Sequence, residues 1–127
     1  MDKIIIQMDK TVIADDNQPN EKMVAMARGL HENGAKVIFM TMTCESERPA
    51  LYEWILKYMG KMFENVPLYM PRDNDERDEK DIVAEWLRDI RNNKQNVCTI
   101  IEGRDGKSDM WLAHGFACLE WRMGDKK

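Results

Sequence analysis

The chain has 127 residues, 43% of them hydrophobic and 33% charged, which predicts one hydrophobic core in a single domain over residues 1–127. A net charge of −4 provides no general attraction for nucleic acid. No apolar run reaches the length of a membrane span and no signal peptide precedes the first strand-like segment, so we expect a cytoplasmic protein that does not contact a membrane.

Strand-like and helix-like patterns alternate along the chain, beginning with three consecutive isoleucines typical of a strand buried on both faces. The predicted strands are Lys3–Met8, Lys36–Thr41, Val66–Met70, Val97–Ile101 and Phe116–Trp121. The predicted helices are Asn20–Asn33, Arg48–Phe63, Asp78–Ile90 and Lys107–His114. In the third of them, Ile82, Trp86 and Ile90 form the predicted apolar stripe. This alternation indicates βαβ units with right-handed crossovers. We therefore predict an α/β fold in three layers, with an open parallel sheet of about five strands.

Cysteine and histidine give no sign of a metal centre. Cys44, Cys98 and Cys118 form no CxxC pair, and His31 and His114 lie far apart without companion ligands. A zinc site is therefore not expected, and the cysteines are interpreted as reduced structural thiols of an intracellular protein.

In parallel sheets, functional groups collect beyond the carboxyl ends of the strands. The segments at those positions are Gln7–Thr11, Thr41–Cys44, Met70–Asp73 and Glu102–Asp105. The chain has neither a GxGxxG after its first strand nor a GxxxxGK[ST], and no Ser-His-Asp order. A dinucleotide fold, a P-loop ATPase and a triad hydrolase are therefore not supported.

The segments IIIQMDKTV, VIFMT and CTIIEGRD resemble the haloacid dehalogenase (HAD) superfamily, in which one strand ends in D-x-D-x-T, a second in Ser or Thr and a later one in acids. Within it, the chain is most similar to the phosphatase domain of phage polynucleotide kinase. The residues carrying this closer match are 66–70 (VPLYM), 81–85 (DIVAE), Ile101, Arg104, 109–111 (DMW), Gly115 and Cys118. The resemblance spans nearly the whole chain. It implies a HAD-like Rossmannoid fold with a short flap, Ala14–Gln18, and no cap domain.

The family's first motif supplies an aspartate nucleophile and, two residues later, an aspartate acid/base. These positions are Gln7 and Asp9 here, with Thr11 matching the threonine. A neutral carboxamide is a poor nucleophile, so Gln7 cannot form an aspartyl-phosphate. Asp9 could still act as an acid or base, or could simply cap its loop.

Motifs two and three also depart from the family pattern. Thr41 retains the motif-two hydroxyl, which could bind a phosphate oxygen or satisfy backbone groups, but Thr43 replaces an arginine of the phage enzyme. The phosphate-neutralising lysine of motif three aligns with Glu79. Lys80 is one residue away and is rotated by about 100° on a helix, so it substitutes poorly. The surrounding segment Arg72–Asp81 has a net charge of −3 and is also interpretable as a solvated loop and acidic helix start.

Motif four, which holds magnesium in the family, corresponds to Glu102 and Gly103. The metal ligands left would be Asp9 and Glu102, so we expect no required cofactor and weak Mg²⁺ binding at most. Another register is suggested by Asp9-Lys10-Thr11, which resembles the phosphorylation motif of P-type ATPases and would make Asp9 the nucleophile. That register lacks the following Gly-Thr, whereas the phage-enzyme register keeps Thr11 and the later strands in step.

Three functions remain in competition. The first is a catalytically degenerate pseudophosphatase that binds a protein, such as a phage-encoded modulator of a host or nucleic-acid-processing enzyme. The alternative is an Mg²⁺-dependent phosphatase acting on nucleotides or nucleic-acid 3′-phosphate ends. The third is a non-catalytic binder of nucleic-acid ends, with phosphate ligands among Thr41, Thr43, Arg72 and Arg104. The net charge makes the third the weakest.

A protein interface is predicted on the helix Arg48–Phe63, with a partner or a second copy of the chain. Its apolar residues cover an arc of about 200°, wider than a helix packed on one sheet needs. The predicted interface residues are Tyr52, Leu56, Met59 and Phe63. The alternative is that neighbouring helices bury both sides of this helix.

Overall fold

The computed structural model describes residues 3–92 and 97–120. Its strands are β1 (Lys3–Gln7), β2 (Lys36–Met40), β3 (Leu68–Tyr69), β4 (Val97–Glu102) and β5 (Cys118–Glu120). Its helices are α1 (Glu21–Glu32), α2 (Arg48–Tyr58), α3 (Glu79–Asn92) and α4 (Ser108–Ala113). The predicted order of elements is confirmed. Trp121, the end of the last predicted strand, lies outside the described residues.

The five strands form one parallel sheet in the order β3-β2-β1-β4-β5. β1 lies in the middle, where Ile5 pairs with Ile38 of β2 and with Ile100 of β4. The connection from β1 to α1 contains only a short 3-10 turn, Asp15–Asn17, and no cap occurs within the described residues. The predicted α/β class with an open parallel sheet of five strands is confirmed.

Each face of the sheet is covered by two helices, which completes the three layers. Side chains alternate between the faces along a strand, so Ile6 of β1 packs with α1 and α2, and Ile5 packs with α3 and α4. Both isoleucines are fully buried. This explains why the first strand is apolar on both faces.

The helix α3 shows the clearest agreement between pattern and packing. Ile82, Trp86 and Ile90, the predicted apolar stripe, are all buried against the sheet. With 14 residues, α3 is also the longest described helix. Within residues 3–92 and 97–120, no helix combines the length and apolar character needed to cross a membrane.

The predicted helix Arg48–Phe63 is shorter than expected, and half of its predicted interface is wrong. α2 ends at Tyr58 because Gly60 adopts a φ of 111°, which side-chain-bearing residues rarely adopt, and a 3-10 turn follows. Met59 and Phe63 are buried in the core beneath α1 and α2. The predicted arc therefore combined residues that do not share one helix surface. Leu56 is exposed and Tyr52 half-buried, so these two remain as predicted interface residues.

Candidate functional site

Four elements bring their polar residues to the carboxyl edge of the sheet. β1, β2 and β4 are neighbours in the sheet, so the residues that follow them meet at one place. α3 begins beside this edge and contributes Glu79, which pairs with Arg104 from the segment after β4. The structure thus brings together the motif positions separated by about a hundred residues in the sequence.

Asp9 is held by three hydrogen bonds. The Gln7 amide Nε2 donates to Asp9 Oδ2 at 2.8 Å, and the Met42 backbone N–H donates to the same oxygen at 3.0 Å. The Thr41 hydroxyl donates to Asp9 Oδ1 at 2.8 Å. The predicted residues Gln7, Asp9 and Thr41 therefore form one cluster. Both carboxylate oxygens of Asp9 are occupied by groups of the protein itself.

Gln7 contacts Asp9 through its amide nitrogen, which no carboxylate could imitate. Its side chain is 2% exposed, and its Oε1 has no hydrogen-bond partner among the described residues. An aspartate here would face the Asp9 carboxylate with like charge unless a cation lay between them. The neutral amide therefore stabilises this arrangement and removes the nucleophile that the family resemblance would require.

Gly103 is needed because the turn after β1 packs directly against it. A Cβ at position 103 would lie 1.9 Å from the Lys10 carbonyl oxygen and 2.7 Å from Thr11 Oγ1. The Thr11 hydroxyl is buried and has no hydrogen-bond partner in the described chain. A second acid in motif four therefore cannot be accommodated without displacing the backbone of this turn.

Glu102 is fully buried and its carboxylate accepts bonds from two other residues. The Arg104 guanidinium donates to both Glu102 oxygens, with Nε at 2.9 Å from Oε2 and Nη2 at 3.0 Å from Oε1. Trp111 Nε1 donates to Oε1 at 2.9 Å, and the Arg104 backbone N–H donates to Oε2 at 3.0 Å. These donors satisfy the buried charge and leave the carboxylate committed to internal contacts.

Glu79 extends this network on the other side of Arg104. The guanidinium makes a second two-point contact, with Nη2 at 2.7 Å from Glu79 Oε2 and Nη1 at 3.1 Å from Oε1. Lys107 Nζ lies 2.9 Å from Glu79 Oε1. Two carboxylates thus face two cations, so the cluster of Glu79, Glu102, Arg104 and Lys107 is balanced in charge. Lys80, the neighbouring candidate, is exposed.

The pKa shifts in this cluster agree with its geometry. Burial alone would raise the pKa of Glu79, but the hydrogen bonds from Arg104 and Lys107 outweigh it and hold the pKa below its usual value. Burial alone would lower the pKa of Arg104, but its bonds to Glu102 and Glu79 raise it. Both groups are therefore held in their charged forms.

The predicted phosphate ligands are largely engaged with the protein. Thr41 Oγ1 donates to Asp9 and accepts the Thr43 backbone N–H at 3.1 Å. The Arg104 guanidinium already contacts two carboxylates. Phosphate binding by Thr41, Thr43 and Arg104 would require these bonds to be exchanged, and it stays a prediction.

A magnesium ion fits the carboxyl edge poorly. The proposed ligands Asp9 and Glu102 have their oxygens occupied by hydrogen bonds, and Gly103 supplies no side chain. Magnesium favours octahedral oxygen ligation anchored by free carboxylates. Among the residues that the structure describes, no group of three or more His, Cys, Asp and Glu could hold a metal ion.

Sequence reasoning missed the pairing of Glu79 with Arg104 and Lys107. It interpreted Glu79 only as the loss of a lysine within an acidic segment, and Arg104 only as a phosphate ligand. The sequence did contain a signal in its charges. Glu79 is an acid where the family has a base, and two bases, Arg104 and Lys107, follow Glu102 at the end of β4. Their proximity depends on how α3 packs and could not be inferred from spacing.

Solved structures with similar folds include two assemblies. One is described as the structure of a Pnkp1/Rnl/Hen1 complex, with a TM-score of 0.80, 21% identity, and 99% of this chain and 48% of that chain covered. The other is a Pnkp1/Rnl/Hen1 RNA repair complex, with a TM-score of 0.78, 21% identity, and coverages of 99% and 44%. The chain thus spans about half the length of the solved chains it matches. No curated protein matches it.

A family comparison covers nearly the whole chain. The model for the polynucleotide kinase PNKP phosphatase domain matches residues 7–125. That range includes all four motif positions described above, from Gln7 to Gly103. With its parallel sheet and the convergence of those positions at one edge, the chain belongs to the HAD-like family of polynucleotide kinase phosphatase domains.

Proposed function

We propose that this chain is a catalytically inactive member of its family, a pseudophosphatase that acts by binding another protein. The observation that carries the proposal is the bond from the Gln7 amide to Asp9, at the position where the family nucleophile is expected. Phosphoryl transfer through an aspartyl-phosphate needs a carboxylate at that position, and an amide cannot supply one.

The two other charge-bearing motifs support the same proposal. Glu79 occupies the lysine position of motif three and is neutralised by Arg104 and Lys107. Gly103 occupies the second acid position of motif four, where the turn at Lys10 leaves no room for a side chain. Electrostatic stabilisation of the transition state is usually the largest contribution to catalysis, and Arg104 and Lys107 at this edge are already paired with Glu79 and Glu102.

Binding to a protein is supported by apolar side chains on the surface. Leu112 of α4 and Leu119 of β5 are each 59% exposed, and Leu56 of α2 is 37% exposed. The two solved structures named above are multi-protein assemblies, one described as an RNA repair complex. The proposed role is to modulate a nucleic-acid-processing enzyme by binding to it. As the family resemblance implies, we propose that the chain is encoded by a phage.

The test is release of inorganic phosphate from an aryl phosphate and from a 3′-phosphorylated oligonucleotide, with Mg²⁺ present. We expect none from the wild type and none from Gln7→Asp, because Glu79 and Gly103 remain. Gln18→Asp, the same change at an exposed position, is the matched control. An active phosphatase of the same family, assayed in parallel, verifies the substrates.

One result would overturn the proposal, and a second would overturn its account of motifs three and four. Wild-type turnover that disappears in Asp9→Asn would establish the alternative, an Mg²⁺-dependent phosphatase with Asp9 as its reacting carboxylate. Robust turnover by Gln7→Asp would show that positions 79 and 103 are compatible with catalysis and that a single substitution removed the activity.

A further inference from the structure

A second site of different character lies at the amino end of the sheet, opposite to the motif positions. A cleft of about 530 Å³ opens there between the starts of β1 and β2 and the connection from α2 to β3. Its lining includes Lys3, Lys36 and Lys61. Pockets for small organic ligands usually have volumes of about 300–1,000 Å³, so the cleft is large enough for one such molecule.

The cleft carries a local positive charge on an acidic protein. Its three lysines face one acid, Glu64, whereas the whole chain has a net charge of −4. In the described part of the chain, the ion pairs involve Arg48, Arg72, Arg77, Arg104 and Lys107, and none involves these three lysines. Within the described residues, no ion-paired carboxylate therefore competes with an anion from solution for their ammonium groups.

Two of the lysines are forced close together by the sheet. Lys3 of β1 and Lys36 of β2 are direct partners in the parallel register. Burial and the neighbouring charge of Lys36 lower the pKa of the Lys3 ammonium. Like charges on paired positions of adjacent strands destabilise a sheet, so this pair costs stability unless a bound anion compensates it.

The lining of the cleft also includes partly exposed apolar and aromatic side chains. Met62 and Val66 are half-buried, and the half-buried His31 ring packs against the buried Phe63 with 5.1 Å between ring centroids. A free inorganic anion would leave Met62, Val66 and His31 in contact with water. A ligand with a flat or apolar body would cover them and gain the corresponding hydrophobic free energy.

We propose that this cleft binds a nucleoside phosphate, with the phosphates between Lys3, Lys36 and Lys61 and the base over the His31 ring and Val66. The inference is independent of the proposed function, because none of these residues belongs to the carboxyl edge. A bound phosphate would also offset the repulsion between the paired Lys3 and Lys36.

The experiment is a titration of the isotopically labelled chain with ADP, followed by NMR. We expect saturable shifts of the Ala35 and Val37 amides, which line the cleft, at millimolar ADP or below, and little change at Thr43 and Arg104. Pyrophosphate and adenosine, titrated separately, should each bind more weakly than ADP. Added salt should weaken binding because charge screening increases.

Lys36→Glu should raise the dissociation constant for ADP by about tenfold or more, because one charge-assisted contact is replaced by repulsion. Lys61→Glu is a second, independent variant at an exposed position. Lys22→Glu, an exposed lysine of α1 outside the cleft, makes the same charge change and should have little effect. Because the Lys3–Lys36 repulsion is removed, Lys36→Glu should also have an equal or higher Tm, which separates lost binding from misfolding.

Four outcomes would overturn the proposal. They are the absence of saturable shifts, shifts centred on Thr43 and Arg104, equal weakening by Lys22→Glu and Lys36→Glu, and binding of pyrophosphate or adenosine as tight as that of ADP. The second outcome would place phosphate binding at the motif edge and thereby contradict this inference separately from the phosphatase assay.

Discussion

The two ends of the parallel sheet differ in how their charged side chains are partnered. At the carboxyl end, Asp9, Glu102 and Glu79 all receive hydrogen bonds from the protein, and Arg104 contacts two carboxylates. At the amino end, Lys3 and Lys36 lie side by side without a described carboxylate partner. The charged groups described at the end where the family performs catalysis are paired with one another, whereas the described lysines at the opposite end are not.

This difference supports the proposal that family membership and activity are separate in this chain. Two residues at motif positions, Glu79 and Gln7, make internal contacts. An anionic ligand needs cations whose charge the protein leaves unpaired. The described lysines at the amino end meet that requirement, whereas the unpaired atoms described at the carboxyl end, Gln7 Oε1 and Thr11 Oγ1, are neutral and buried.

The largest expected effect tests whether the carboxyl end is closed by packing. Gly103→Ala should lower the free energy of unfolding by about 3 kcal/mol, the upper part of the overpacking range, because the new Cβ meets the Lys10 carbonyl oxygen. Gly29→Ala, the same change in α1 with no atom within 4 Å of the new Cβ, should raise it by up to about 1 kcal/mol. Urea denaturation measures both. A Gly103→Ala protein as stable as the wild type would mean that the turn yields readily and that position 103 could carry an acid.

The next effect tests whether Glu79 is a structural ion-pair partner. Glu79→Gln should destabilise the fold by about 1–3 kcal/mol near neutral pH, because Arg104 and Lys107 lose a shared carboxylate. Glu76→Gln, an exposed acid of the same segment, should change stability by less than about 0.5 kcal/mol. Equal effects of the two substitutions would show that Glu79 does not stabilise the fold through Arg104 and Lys107.

The dependence of the free energy of unfolding on pH, measured in acid, tests the same role of Glu79. The pKa of Glu79 is lowered in the folded state, so its contribution is present above the ordinary glutamate pKa of about 4.3 and is lost as pH falls through the lower folded value. Wild type and Glu79→Gln should therefore become more similar in stability as the pH is lowered through this range. A difference that persists at low pH would assign the effect of the substitution to packing.

The smallest effect on stability concerns a surface away from both ends. Leu56→Glu on α2 should change the free energy of unfolding by less than about 0.5 kcal/mol, because Leu56 is exposed. It should weaken self-association or partner binding at this face by about fivefold or more if Leu56 contributes at least 1 kcal/mol there. Sedimentation velocity and partner pull-down provide the measurement, with Ala25→Glu at an exposed position of α1 as the matched control. A monomeric wild type whose Leu56→Glu variant keeps every partner would contradict the α2 interface.

Much of the fold followed from local patterns. The isoleucine run of β1 indicated a strand buried on both faces, and the stripe Ile82, Trp86 and Ile90 identified the buried side of α3. The convergence of Asp9, Thr41 and Glu102 could also be anticipated, because strands in a parallel sheet end at the same edge. These features depend on periodicities within one segment or on a general rule of the fold.

The interface prediction on α2 failed at Met59 and Phe63 for a physical reason. The helical wheel assumed that the helix continued to Phe63, but α2 ends before Gly60, whose φ is positive, and Phe63 lies in the following 3-10 turn with its side chain in the core. Met59 comes four residues after the buried Ile55 and is buried on the same face. A wheel also describes which residues share a face without identifying what covers that face. Burial of these two residues therefore depended on the packing of α1 and α2 over the sheet.

The sequence by itself determined the order of elements, the α/β class and the loss of a carboxylate at position 7. Only the tertiary structure decided that Gln7 bonds to Asp9, that Gly103 lies under the Lys10 carbonyl, that Arg104 bridges Glu79 and Glu102, and that Lys3 lies beside Lys36. The reason is that periodicity and composition report a residue's own preferences. A contact between distant residues depends on strand order and on the packing of separate elements, which no local pattern specifies.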